Sequence, residues 1–445
     1  MKKLRNSQLF LQASYAKSTT GAELQKIDQL LQESPDWLPF LRRIQEKLST
    51  ATGASARITT EQVVKAGLIK SLYNCSFRKL AELTTDSRAV GTFLGLRFDQ
   101  ALSKSVLHKA ISSIDAEDWR FLNRILIKRG VELDIEYGDI IRSDTTVTET
   151  NIHHPTDSSL LVDGIRILTR LLSRLQEIEG ALIFSNHNRR AKARLYEINN
   201  SKSNEQRYPH YQDLLKVGKM TLGYVQEYLL SPQRVVKSHL RAKYLQLRQK
   251  LVRNQELMQA VLQQTFDRVV AGKSVPVEDK VISFVEPDTD IIKKGGRETQ
   301  FGHKISLTTG RYLISSCEVL DGNPSDRTLV TQVLEEHLRL YKVPPAEVAF
   351  DGGYSSLTNR DYLKELGVRE ITFCKHGSLP RESLRSTKKK YRELMNFRAG
   401  IEGVISCLKR DYGLKRIFEH GRRKFESVVQ RSIVAFNLRT IVRLL

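Results

Sequence analysis

Three acidic residues in this chain sit where short elements could gather them. Asp144 lies in GDIIRSDTTVTET, a run crowded with β-branched residues, and Asp351 follows the apolar stretch Glu347-Val-Ala-Phe350. Two glycines behind Asp351 allow another group to come close. Glu402 lies in RAGIEGVISCLKR, which reads as a helix. Carboxylate oxygens are the hard donors that Mg²⁺ or Mn²⁺ requires. Two such ions held a few ångströms apart stabilise both the attacking and the leaving oxygen at a phosphodiester.

The surroundings of Glu402 suit that chemistry. At about 100° per residue, Arg398 falls about 40° and Lys409 about 20° from Glu402, so the three share one polar face. Ile401, Val404, Ile405 and Leu408 form the adjoining apolar stripe that would seat the helix on a sheet. The bland alternative for Arg398 and Glu402 is an ordinary i, i+4 surface pair contributing a few tenths of a kcal/mol. Asp134 and Asp139 compete with Asp144 for its role, and Asp351 has the alternative of capping a turn. His153 and His154 are candidate phosphate or metal neighbours, and His376 is a weaker one.

Elements must position these groups. The run around Asp144 reads as a strand in which Asp144 shares a face with Ile140, Arg142 and Thr146. Before it, to about residue 133, come short helices. Pro35 and Asp36 suit a helix start, Thr59 with Gln62 has capping-box spacing, Ser76 and Ser103 are caps, and Gly130 is a stop. Arg78, Lys79, Lys104 and Lys109 lie near helix starts, as in a helix-turn-helix DNA reader, although a helical bundle with a solvated basic face accounts for them equally well.

After Thr156-Asp157, a cap, Leu161, Ile165, Leu168, Leu172 and Leu175 make one helical stripe. From about 186 to 272 the chain reads as helical and basic. Its last segment, roughly Gln233 to Ala271, would be about 39 residues and about 58 Å long, as in a helical hairpin or coiled coil. Strand signals return with VISFVEP, then HKISLTT and RYLISSCEVL around Gly310 as a hairpin. A helix from about Arg327 to Tyr341, the Glu347 strand, another helix, a strand from Glu370 to Phe373 and a terminal helical region complete a mixed α/β pattern with a large helical insertion.

Composition names the partner. The 445 residues carry 72 Lys and Arg against 50 Asp and Glu, a net charge of +22. From 371 to 445 the ratio is 18 to 6. Lys388-Lys389-Lys390 is the densest run, and Lys293, Lys294, Arg297 and Lys304 form a second basic stretch that could follow a backbone. Such an excess points to a polyanion, nucleic acid first and an anionic membrane surface second. No window is apolar enough for a transmembrane helix or a signal peptide. Cys75, Cys317, Cys374 and Cys407 are too scattered for a disulfide framework or a zinc site. A soluble intracellular protein of two or three domains is expected.

Three motifs carry a resemblance: RSDTTVTETNIHHPTDSSLLVDGIRILTRL around Asp144, EVAFDGGYSS around Asp351, and FRAGIEGVISCLKRDYGLKR around Glu402. In this order the chain resembles bacterial insertion-sequence transposases of the DDE type, with ISNCY-like elements as the suggested group. The third motif fits the family's spacing of Arg, Glu and Lys as Arg398, Glu402 and Lys409. The family's Tyr three residues before the Arg is Met395 here, with Tyr391 four residues further upstream. CEVLDGNPSDRTL is similar to the strand-to-helix connection of the family's core.

The resemblance implies an α/β ribonuclease-H-like mixed-sheet core at 134–156 and 281–445, a helical insertion at 157–280, and an all-α helix-turn-helix-like DNA-binding domain at 1–133. It implies Asp144, Asp351 and Glu402 as catalytic metal ligands for two Mg²⁺ ions, with Mn²⁺ able to substitute. Arg398, Lys409, Arg78, Lys79, Lys104 and Lys109 are then expected on DNA. Double-stranded DNA at element ends and target, a homodimer in the active complex, no membrane, and a cytoplasmic, nucleoid-associated setting follow. The alternatives are a catalytically inactive DNA-binding descendant, which the intact triad spacing opposes, and a helical scaffold, which the strand-rich segments oppose.

Overall fold

A computed structural model of the chain describes residues 15, 17–51, 58–97, 100–180, 182–231, 236–293, 298–374 and 387–445. The chain divides into two compact units, Met1–Asn151 with Ile292–Leu445, and Ile152–Ile291.

Among the described residues the first unit opens with the helices α1 (Thr19–Glu33), α2 (Trp37–Ala51), α3 (Thr60–Leu72), α4 (Phe77–Asp86), α5 (Arg88–Leu94), α6 (Lys104–Ile111) and α7 (Ala116–Glu132). Their starts follow the caps. Thr59 accepts from the Gln62 amide at 3.2 Å while Gln62 accepts from the Thr59 amide at 2.9 Å, and Ser76 and Ser103 cap α4 and α6. Gly130 does not stop α7, which runs on to Glu132. A side chain there would collide with Leu313, so packing explains this glycine.

The strand β1 (Ile140–Thr150) follows. The second unit then holds α8 (Asp157–Glu179), α9 (Asn188–Asn200), α10 (Asn204–Leu230) and α11 (Ser238–Thr265). Thr156 caps α8, and the stripe from Leu161 to Leu175 is buried with Leu214, Val225, Leu251 and Met258 of α10 and α11. The last helix is shorter than the 39 residues expected. It ends in a widened turn, Phe266–Val270, closed by the Ala271 amide on the Phe266 carbonyl at 2.9 Å. β2 (Asp290–Ile292) spans the point in the chain where the second unit ends and the first resumes. The VISFVEP stretch is not a strand, because Ser283 turns the chain by accepting from the Val285 and Glu286 amides at 3.1 and 3.0 Å.

The first unit resumes with β3 (Gln300–Thr309), β4 (Ile314–Val319), α12 (Val330–Tyr341), β5 (Glu347–Asp351), α13 (Leu357–Glu365), β6 (Glu370–Cys374), α14 (Lys388–Asp411), β7 (Arg416–Ile417) and α15 (Arg422–Leu444). β1 is central. It runs antiparallel to β3, with Asp144 opposite Leu307, and parallel to β5, with Ser143 beside Phe350. β4 extends the antiparallel side and β6 the parallel side. This mixed sheet is compatible with a ribonuclease-H-like core whose helical insertion follows the first strand.

The alternation of β1 sorts its two faces. Ile141 packs with Val348, Phe350, Leu334 and Leu363 under α12 and α13. Ile140 packs with Ala349, Leu394 and Phe397 under α14. α15 is buried nearly all round, and the polar side chains this buries, Gln430, Arg431, Ser432 and Asn437, each find a hydrogen-bond partner. It shares one core with α1 to α7 and with Leu307, Leu313 and Ile314 of the hairpin. Asn437 of α15 accepts from the Ile314 amide and donates to its carbonyl, both at 2.9 Å, so a side chain completes the edge of β4.

Candidate active site

β1 and β5 place Asp144 and Asp351 side by side, since their register pairs the preceding residues Ser143 and Phe350. α14 crosses the same face. Leu394 and Phe397 anchor it, Ile401 and Leu408 are buried, and Val404 and Ile405 pack against the same core, as the stripe requires. Arg398, one residue past the Phe397 anchor, is thereby directed at the strands.

Its guanidinium joins the three acids. Nη2 donates to Asp144 Oδ2 at 2.9 Å and lies 3.4 Å from Asp351 Oδ2, while Nη1 donates to Glu402 Oε1 at 3.0 Å. The i, i+4 pair of the bland reading therefore exists, and the same side chain reaches both aspartates as well. The Arg398 and Asp144 side chains are 14% and 16% exposed, whereas that of Glu402 is 68% exposed. Glu402 thus stands at the rim of the site and Asp144 at its floor. Asp144 also accepts from the Thr145 amide at 2.7 Å.

The competing aspartates are engaged elsewhere. Asp139 is gripped by Arg311, with Nη2 at 2.5 Å, which holds its carboxyl below the usual range. Asp134 occupies a left-handed turn position before β1, φ 57°, where its carbonyl accepts from the Tyr137 hydroxyl at 2.9 Å.

Lys409 lies on the same continuous helix, half-buried, about 10 Å along the axis from Glu402. The Lys388–Lys390 run is the first turn of that helix, capped by Thr387, and Lys390 pairs with Glu347 at 2.6 Å. Tyr391 donates to the Phe373 carbonyl at 3.2 Å, tying α14 to β6.

Arg78 and Lys79 lie on the first turn of α4, and Lys104 and Lys109 on α6, which packs against α4. All four are exposed. Lys304 does not face solvent as a backbone contact would. It is buried, 2.7 Å from Asp326 and 2.6 Å from the Pro324 carbonyl. His153 lies in the second unit, 3.4 Å from Asp163. His376, Lys294 and Arg297 lie outside the described residues.

Two residues escaped sequence reasoning. Asp326, within CEVLDGNPSDRTL, accepts from Thr145 Oγ1 at 3.0 Å beneath the strand. A side chain at Gly353 would crowd Asp326, so one of the glycines behind Asp351 clears room for it. Arg142 lies beneath α14, where its guanidinium stacks on the Phe397 ring at 4.4 Å. Its position on the Asp144 face was legible, but its partner 255 residues away was not.

The donor set suits a hard divalent cation: three carboxylates, from β1, β5 and α14, converging on one point. That point is taken by the Arg398 guanidinium. Among the described residues, no three acids, histidines or cysteines stand close enough as placed to enclose an ion.

Two family matches agree with this arrangement. Residues 272–438 match the transposase DDE domain, a span that includes Asp351 and Glu402, and residues 13–113 match a transposase domain (DUF772). Asp144 lies between the two spans, and neither match specifies the ISNCY-like group. No curated protein and no solved structure matches the chain. With a DDE domain over β2 to β7 and α14, and a transposase domain over the first helices, the two matches indicate an insertion-sequence transposase of the DDE type.

Proposed function

We propose that Asp144, Asp351 and Glu402 form the catalytic site for cutting and joining DNA at the ends of a mobile element. The observation that carries this reading is their convergence on one guanidinium from three separate elements. Unrelated surface acids have no reason to surround one cation, and the net charge of +22 suits a DNA partner.

Water would attack at each element end, and the freed 3′-hydroxyl would then attack target DNA. Both are in-line displacements at phosphorus, so one site serves both. Two divalent ions, Mg²⁺ with Mn²⁺ able to replace it, would supply Lewis acidity at the entering and leaving oxygens. Asp144 and Asp351 would hold them from the floor and Glu402 from the rim. Arg398, released from the acids, and Lys409, two turns along, would meet DNA phosphates. The exposed cations of α4 and α6 would read the terminal inverted repeats within a domain of residues 1–133. A homodimer would handle two element ends together, in the cytoplasm and on the nucleoid. Among the described residues no helix is long and apolar enough to cross a membrane.

Asp144→Asn, Asp351→Asn and Glu402→Gln each remove a carboxylate at nearly constant volume. Each should abolish Mg²⁺-dependent nicking of element-end DNA while leaving DNA binding within a few-fold of the parent. Near-normal nicking by any one of them removes that residue from the site. A parent protein that binds element ends and never nicks would instead support the inactive descendant.

A further inference from the structure

Arg142 lies two residues before Asp144 and faces the same side of the sheet. It is a buried arginine; among the described residues none of its hydrogen bonds goes to a carboxylate, although the Glu136 charge acts on it. Its Nε donates to Thr309 Oγ1 on β3 at 2.8 Å. Its Nη1 donates to the Phe397 carbonyl in the middle of α14, and its guanidinium lies over the Phe397 ring. Burial pulls its pKa down. Gly400, one turn beyond Phe397, lies against this guanidinium, so a β-carbon there would displace Nη1. One arginine thus touches β3, the carbonyl just before Arg398, and the surface of α14 between Arg398 and Glu402.

We infer that Arg142 is the positioning residue of the third carboxylate, fixing the height and axial setting of α14 on the sheet, and that Gly400 is present to admit it. The physical reason is directional. Apolar packing of Leu394 and Phe397 presses α14 onto the strands but tolerates sliding, whereas a hydrogen bond to one carbonyl together with a stacked ring selects one setting. Asp144 and Arg142 share a strand, so the same backbone carries the first acid and the anchor of the third. A shift of about 1 Å in such a site costs about a hundredfold in rate. This inference rests on the proposed catalytic role of Glu402.

The test is a double-mutant cycle in the full-length protein with Arg142→Ala, Gly400→Ala and the pair, alongside Arg142→Lys. Three readouts are taken: kcat and KM for Mg²⁺-dependent nicking, Mn²⁺ affinity by calorimetry without DNA, and thermal unfolding. Each single substitution should lower kcat tenfold or more and weaken Mn²⁺ binding several-fold, with KM for DNA nearly unchanged. Arg142→Lys should recover part of the loss. The pair should be no worse than Gly400→Ala alone, because removing the guanidinium removes the collision. A role in stability alone would lower the unfolding temperature and leave kcat per folded molecule and Mn²⁺ affinity at parental values, which overturns the inference. So would losses that multiply in the pair. If Arg142→Ala does not fold, Arg142→Lys and Gly400→Ala decide by the same two readouts. Glu402→Gln is measured beside them: an inactive Glu402→Gln with parental Arg142 variants defeats this inference alone, and an active Glu402→Gln defeats the site itself.

Discussion

Arg398→Gln should make the metal-free protein less stable and make it bind Mn²⁺ more tightly. In the parent the single guanidinium charge is shared among Asp144 at 2.9 Å, Asp351 at 3.4 Å and Glu402 at 3.0 Å. The Glu402 pair is exposed and counts for a few tenths of a kcal/mol at most. Asp351 is about a third exposed and its contact is longer, so its share is also small. Asp144 dominates: with Arg398 gone, a carboxylate largely removed from water loses a charged donor, which costs about 1–3 kcal/mol. Any cation that takes the guanidinium's place in the parent must overcome that same interaction. At 1.4 kcal/mol per tenfold, the variant should bind Mn²⁺ roughly 5- to 150-fold more tightly. Calorimetric titration of the full-length protein without DNA measures this directly, and thermal unfolding should show a larger rise on adding Mn²⁺ for the variant than for the parent. Affinity equal to or weaker than the parent's would refute the idea that Arg398 and the ion compete for one place.

Lys409→Ala should slow cleavage of element-end DNA substantially, and Lys409→Arg should keep part of the rate, because a flexible point charge on a phosphate needs no bidentate geometry. Kinetics of the Ala variant matching the parent at low and moderate salt would remove Lys409 from the site. A third expectation concerns acid stability. His337 of α12 is buried against Tyr341, with ring centroids 4.7 Å apart, and burial pulls its pKa from 6.5 down to about 4. The unfolded chain therefore takes up a proton near pH 6.5 that the folded chain refuses until about pH 4. Its contribution is full above pH 6.5 and is lost as pH falls through that window, by on the order of 3 kcal/mol. Denaturant midpoints for the parent and His337→Gln at about pH 7.5 and pH 5 measure it, and identical pH slopes would show that His337 is not the responsible group.

Much of the site could be read from local chemistry. Asp144 in a β-branched run, Asp351 at the end of an apolar one and Glu402 flanked by Arg398 and Lys409 on one helix face are all patterns of short range. So are the Thr59, Ser76, Ser103 and Thr156 caps, because a hydroxyl three residues before an amide needs no distant partner. The same reasoning failed where a residue's partner lies far along the chain. Gly130 reads as a helix stop, yet it makes room for Leu313; Gly310 does sit in the expected hairpin turn, but that it also makes room for the Glu136 carboxylate, which accepts from the Arg311, Tyr312 and Leu313 amides, was not legible. Lys304 read as part of a basic stretch that could follow a backbone and is bound to Asp326. VISFVEP has strand composition, and one serine hydroxyl turns it. The sequence determined which groups are available and on which face of which element each stands. Only the tertiary structure decided that β1 and β5 lie adjacent in register, that Arg142 reaches the Phe397 carbonyl of α14, and that one guanidinium meets three carboxylates. Most of those outcomes depend on partners as far as 255 residues apart, of which spacing along the chain carries no record.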